Sequence, residues 1–107
     1  MFTLKSILKN HGGTFNSKGE TVSFKRGYQV STHDIAIVKV KELRKSYLQA
    51  ILDTIESGKF LGVWIDKGLA YIDCSECINT KREAVKLGKK LNQISIWNWK
   101  TSEALEL

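Results

Sequence analysis

The sequence predicts an α+β fold: a single domain over residues 1–107, with helices packed on a mainly antiparallel sheet in the order α-β-β-β-α-β-β-α-β. Three observations predict it. Residues 60–75 alternate apolar and other side chains with period two on both sides of Lys67-Gly68, which is hairpin chemistry. Val40, Leu43, Tyr47, Ile51 and Ile55 recur at helical spacing. Thr80 and Glu83 form a capping box that opens a second amphipathic run, and alternation resumes after it at Ile94 and Ile96.

Along the chain, residues 3–10 read as a short helix, with Leu4, Ile7 and Leu8 on one face and Gly12-Gly13 stopping it. A hairpin is expected next. Thr14–Asn16 and Thr21–Phe24 flank a turn through Lys18-Gly19 that would pair Phe15 with Val22. After Gly27, Tyr28–Thr32 reads as a third strand, and Ile35–Val38 fits either its end or the start of a buried helix. The long helix then extends to Gly58. Its lysines come early and its acids late, against the helix dipole, so packing must hold it.

In the hairpin over 60–75, a two-residue turn pairs Ile65 with Ala70, Val63 with Ile72 and Leu61 with Cys74. That register gathers one apolar face and sets Trp64 opposite Tyr71 on the other. The helix from Thr80 to about Leu91 carries small residues on one side, suited to lying close on a sheet, and Asn92 suits a left-handed stop. If the strands before and after this helix run parallel in one sheet, their connection is right-handed. Thr101–Leu107 reads as a loosely held tail.

Composition narrows the function classes. The longest apolar run, Phe60 to Ile65, is far short of the roughly 20 residues of a membrane span. The start of the chain shows no secretory signal, so a soluble intracellular protein is expected. The net charge is +6, but 14 of the 17 basic residues are Lys, and Arg is the side chain that reads bases and stacks on them. Most of the excess lies in residues 1–59, which points to a solvated lysine coat.

Cys74 and Cys77 form a lone C-x-x-C. Zinc wants four ligands, and His11 and His33 are far upstream. A redox site wants the motif at a helix N-terminus, whereas this helix begins three residues later, and Glu76 between the thiols would raise their pKa. No metal and no cofactor are expected. Asp66, Asp73 and Glu76 lack a partnering base or nucleophile, and no phosphate-loop, metalloprotease or nucleophile-elbow motif occurs. A non-enzymatic protein is therefore expected.

Two surfaces remain. Trp64, Tyr71 and Trp97 share the sheet face opposite the apolar one. They form either an aromatic patch for a partner or a second small core beneath the long helix or the first hairpin. Arg82, Lys86 and Lys89 stack along one helix face with Lys90 beside them. This arrangement is either a phosphate-tracking face or the solvated side of an amphipathic helix.

The stretch from Gly62 to Asp73 (W-x-D-x-G-x-x-Y-x-D), Thr80 to Ala84, and Asn92 to Trp97 (N-Q-x-x-I-W) together resemble a family of short uncharacterised proteins of bacteriophages and prophages of Gram-positive bacteria. The Cys74–Cys77 pair departs from that family's pattern. The resemblance implies an accessory protein in the host cytoplasm and carries over no functional residues. The expectation is a protein-binding module contacting a host or phage protein through Trp64, Tyr71 and Trp97. The alternative is a nucleic-acid-binding protein using Arg82, Lys86, Lys89 and Lys90.

Overall fold

The structure is a computed structural model and describes residues 2–107. It has the expected α+β architecture, built on one six-stranded sheet. The elements are α1 (Leu4–Lys9), β1 (Gly12–Phe15), β2 (Tyr28–Lys39), a 3-10 turn (Val40–Glu42), α2 (Lys45–Leu52), β3 (Phe60–Asp66), β4 (Leu69–Ile78), α3 (Lys81–Lys90), β5 (Ser95–Asn98) and β6 (Glu103–Glu106). The strands lie in the order β1-β3-β4-β2-β5-β6, and every neighbouring pair is antiparallel. No helix among the described residues is long and apolar enough to cross a membrane.

The β3–β4 hairpin adopts the expected register: Ile65 opposes Ala70, Val63 opposes Ile72, Leu61 opposes Cys74 and Trp64 opposes Tyr71. The face holding Leu61, Val63, Ala70 and Ile72 is dry because two helices lie on it. Ile7 of α1 and Leu48 and Leu52 of α2 pack there with Phe2, Phe15 and Leu43. A second core sits further along the same face, where Ala84 of α3 covers Val30 of β2 and Ile96 of β5. Ala84 and Gly88 are the buried residues of α3, as the small-residue pattern anticipates. The Thr80 hydroxyl accepts from the Glu83 amide at 3.3 Å, and Asn92 adopts a left-handed φ of 59° beyond the helix end.

Three local expectations are corrected, and the open one, Ile35–Val38, resolves to its strand alternative. Thr21–Phe24 forms no strand. The Asn16 side chain accepts from the Lys18 and Glu20 amides, which widens the turn and puts Thr21, not Val22, opposite Phe15. β1 pairs with β3 instead, and Phe24 is freed to cross to the other side of the sheet. Ile35–Val38 continues β2 as strand, with bulges between Ser31 and His33 and between Asp34 and Ala36. The long helix splits, because the Val40 amide bonds the Gly68 carbonyl at 2.9 Å and Leu43 is extended. α2 therefore starts at Lys45 and buries Leu48 and Leu52, leaving Tyr47 exposed. Thr101–Leu107 is not a loose tail: β6 pairs with β5, and Leu105 and Leu107 pack on the second core.

β4 and β5 run parallel but are not neighbours, since β2 lies between them. The α3 connection therefore spans the central strand, which places this helix over β2.

Gly12 fixes where β1 meets β3. Its φ is +128°, and a Cβ there would run into the Val63 carbonyl of the paired strand. Gly12→Ala should destabilise the domain by more than about 2 kcal/mol in urea denaturation. Gly58→Ala, with φ +87° and nothing within 4 Å of a Cβ, should cost only about 1 kcal/mol of left-handed strain.

Candidate functional site

All three helices pack on one face of the sheet, which leaves the opposite face without a helix. Side-chain alternation places Phe60, Gly62 and Trp64 of β3 there, with Tyr71, Asp73, Ser75 and Cys77 of β4. Pairing across β2 and β5 adds Ile37, Asp34, Gln29 and Trp97.

One end of this face is covered. Phe24, displaced from the expected strand, sits edge-on to Phe60 and to Trp99 with ring centroids 5.5 Å apart in each pair. Trp97 meets Trp99 edge-on at 6.4 Å. Beneath them the buried Gln29 amide donates to the Ser75 hydroxyl at 2.8 Å and accepts from the Trp99 indole N–H at 3.0 Å. Each polar group covered by the aromatic rings therefore has a partner.

The other end is open. Trp64, Tyr71 and Ile37 stand side by side on β3, β4 and β2, with 56%, 37% and 63% of their surface exposed. Here the face carries large apolar side chains with no helix over them. Trp97 does not join them. It registers through Gln29 with Cys77, six residues along β4 from Tyr71, or about 20 Å at strand rise. The three aromatics read from sequence share a face but divide between its two ends. Ile37 is the residue that sequence reasoning missed, because Ile35–Val38 fits either a strand or the start of a buried helix, which leaves its face undecided.

Next to this row, Asp34 and Asp73 oppose each other across β2 and β4. Gly62 leaves the space that the Asp73 carboxylate fills, since a Cβ there would overlap Asp73 Oδ1. Burial, and secondarily the Asp34 charge, push the Asp73 pKa up to about 6, while the nearby Ser31 hydroxyl, which donates to Asp34 Oδ1 at 3.3 Å, opposes the rise. No lysine or arginine lies within ion-pair distance of either carboxylate. Among the described residues the one ion pair is Lys59–Glu56. With Ile37 and Tyr71, the two acids line a depression of about 350 Å³.

Arg82, Lys86, Lys89 and Lys90 are all exposed on α3, on the helix-bearing side of the sheet. None forms an ion pair with a described acid.

Cys74 and Cys77 are free and sit three residues apart within β4, so their side chains project to opposite faces. They cannot act as a pair. His33 opposes Cys74 across the ladder, but burial raises both thiol pKa values and disfavours the reactive thiolate. The described residues contain no cluster of three or more His, Cys, Asp or Glu able to hold a metal.

Comparison of the chain with protein-family models, curated proteins and solved structures finds no match in any of the three.

Two outcomes follow from this geometry. Between its unfolded pKa of 3.8 and its folded value of about 6, Asp73 holds a proton in the folded chain that the unfolded chain has released. Stability should therefore fall as pH rises from 4 to 6. Asp73→Asn should flatten that slope in thermal melts and raise stability at pH 7 by about 1–3 kcal/mol. At the covered end, Gln29→Leu strands the Trp99 N–H and the Ser75 hydroxyl. It should cost about 1–3 kcal/mol in chemical denaturation.

Proposed function

We propose that this protein is a non-enzymatic protein-binding module, and that it contacts its partner through Trp64 and Tyr71 with Ile37 beside them. The observation that carries the reading is the exposed row these three residues form on the helix-free face. Large apolar side chains set together on a surface gain free energy when a partner covers them. Trp and Tyr lose little side-chain entropy on binding, so they make strong anchors. Trp97, packed against Trp99, supports the face from the far end rather than serving as contact surface. The resemblance to short phage and prophage proteins supplies the setting we propose: the host cytoplasm, with a host or phage protein as partner.

The exposed cations of α3 favour a second reading, nucleic-acid binding through Arg82, Lys86, Lys89 and Lys90. The two differ in their response to salt. Phosphate contacts weaken steeply as ionic strength rises, whereas an apolar protein contact barely responds.

Affinity capture from a nuclease-treated host lysate tests both. The intact chain should retain proteins that a Trp64→Ser/Tyr71→Ser double variant loses, with no fall in the variant's melting temperature. Retention that depends on nucleic acid and is lost in Lys86→Gln/Lys89→Gln would favour the second reading and reject the first.

A further inference from the structure

The depression beside the apolar row has the chemistry of a side-chain receptor. Ile37 and Tyr71 form its walls, and Asp34 and Asp73 bring two carboxylates together with no cation paired to them among the described residues. The β2 bulge between Asp34 and Ala36 is what allows Asp34 to face Asp73 while Ile37 faces Tyr71. An apolar wall leading to paired acids matches a side chain with an aliphatic stem and a cationic head. A guanidinium matches it better than an ammonium, because its planar fork of donors can serve two carboxylates and its face can lie on the Tyr71 ring.

The charge around the row points the same way. Asp66 and Leu69 flank the Trp64–Tyr71 pair on its other side, with Lys39 opposite Leu69. Three acids and one lysine thus border the row in a chain of net charge +6. This local negative field repels phosphates and attracts a basic polypeptide.

Resting on the protein-binding reading above, we infer that the Asp34–Asp73 depression receives an arginine side chain of a partner polypeptide whose neighbouring apolar side chain covers Trp64. A seated guanidinium would relieve the repulsion between the two carboxylates, which among the described residues only the neutral Ser31 hydroxyl eases.

The test uses the full chain and three fluorescein-labelled ten-residue peptides of alternating leucine and a second residue: arginine, citrulline or glutamate. Citrulline keeps the shape of arginine and removes its charge. Fluorescence anisotropy should show the arginine peptide binding at least tenfold more tightly than the citrulline peptide, with the glutamate peptide weakest. Asp34→Asn/Asp73→Asn, which preserves side-chain size, should reduce the arginine preference to under threefold. Lys86→Gln, on the other side of the sheet, should leave it unchanged. Equal binding of the arginine and citrulline peptides, no binding of either, or a preference that survives in the double Asn variant would each overturn the inference. If both bind equally and Trp64→Ser abolishes both, the protein-binding reading stands and only the arginine site falls. If Trp64→Ser changes neither, both fall. Concentration-dependent sedimentation of the unliganded chain that Ile37→Ser eliminates would identify a second copy as the occupant and overturn the foreign-peptide inference.

Discussion

The antiparallel ladder between β2 and β4 organises the rest of the molecule. It joins residues at least 30 positions apart, and β2 also pairs with β5 along its other edge. One strand therefore connects the core under α1 and α2 to the core under α3. Closing such long loops is costly in entropy, so the ladder must be reinforced by burial on at least one side. The helices supply that burial and all choose the same side. The asymmetry follows from sequence alternation: Leu61, Val63, Ala70, Ile72 and Val30 face one way, and their neighbours face the other.

The second face inherits the consequences. At one end the chain covers it with its own aromatic rings, and a glutamine satisfies the polar atoms beneath them. At the other end the two bulges of β2 turn Asp34 outward and Ile35 inward and, because their shifts cancel, keep Ile37 on the face of Gln29 and Ser31. A regular strand would have kept the period of two and could not have placed Ile37 beside Tyr71 while Ile35 still packs on the core. The irregularity in the backbone thus creates the composition of the open surface.

Much of this was legible in the residues, and the limits were physical. The β3–β4 register could be read because one apolar face demanded it and the Lys67-Gly68 turn permitted it. The Thr80 cap and the small face of α3 were equally local, and local chemistry decided them. The failures arose where distant contacts override local preference. Thr21–Phe24 has strand propensity, but Asn16 captures two amides of the turn and Phe24 finds Phe60 and Trp99. Val40 and Leu43 fit a helical stripe, but the Val40 amide is held by the Gly68 carbonyl. Glu103–Glu106 lacks a strong strand pattern and becomes one because β5 offers an edge and Leu105 and Leu107 find the second core. The open surface was half legible: Trp64 and Tyr71 came from alternation, whereas Ile37 stood in a stretch, Ile35–Val38, that fitted strand and helix equally.

The last strand also governs how copies of the protein can meet. A sheet edge is a template for further strands, and this sheet ends in β6 on one side and β1 on the other. β6 bears Glu103 and Glu106, both exposed, so a second β6 laid against it would bring like charges together. β1 is only four residues long, and its outer edge is already taken in part by the bond from the Val22 amide to the Thr14 carbonyl. Neither terminal strand favours growth into a continuous sheet, which leaves the stretch of β2 beyond Gln29, not paired by β5 and bearing Ile37, as the edge next to the apolar row.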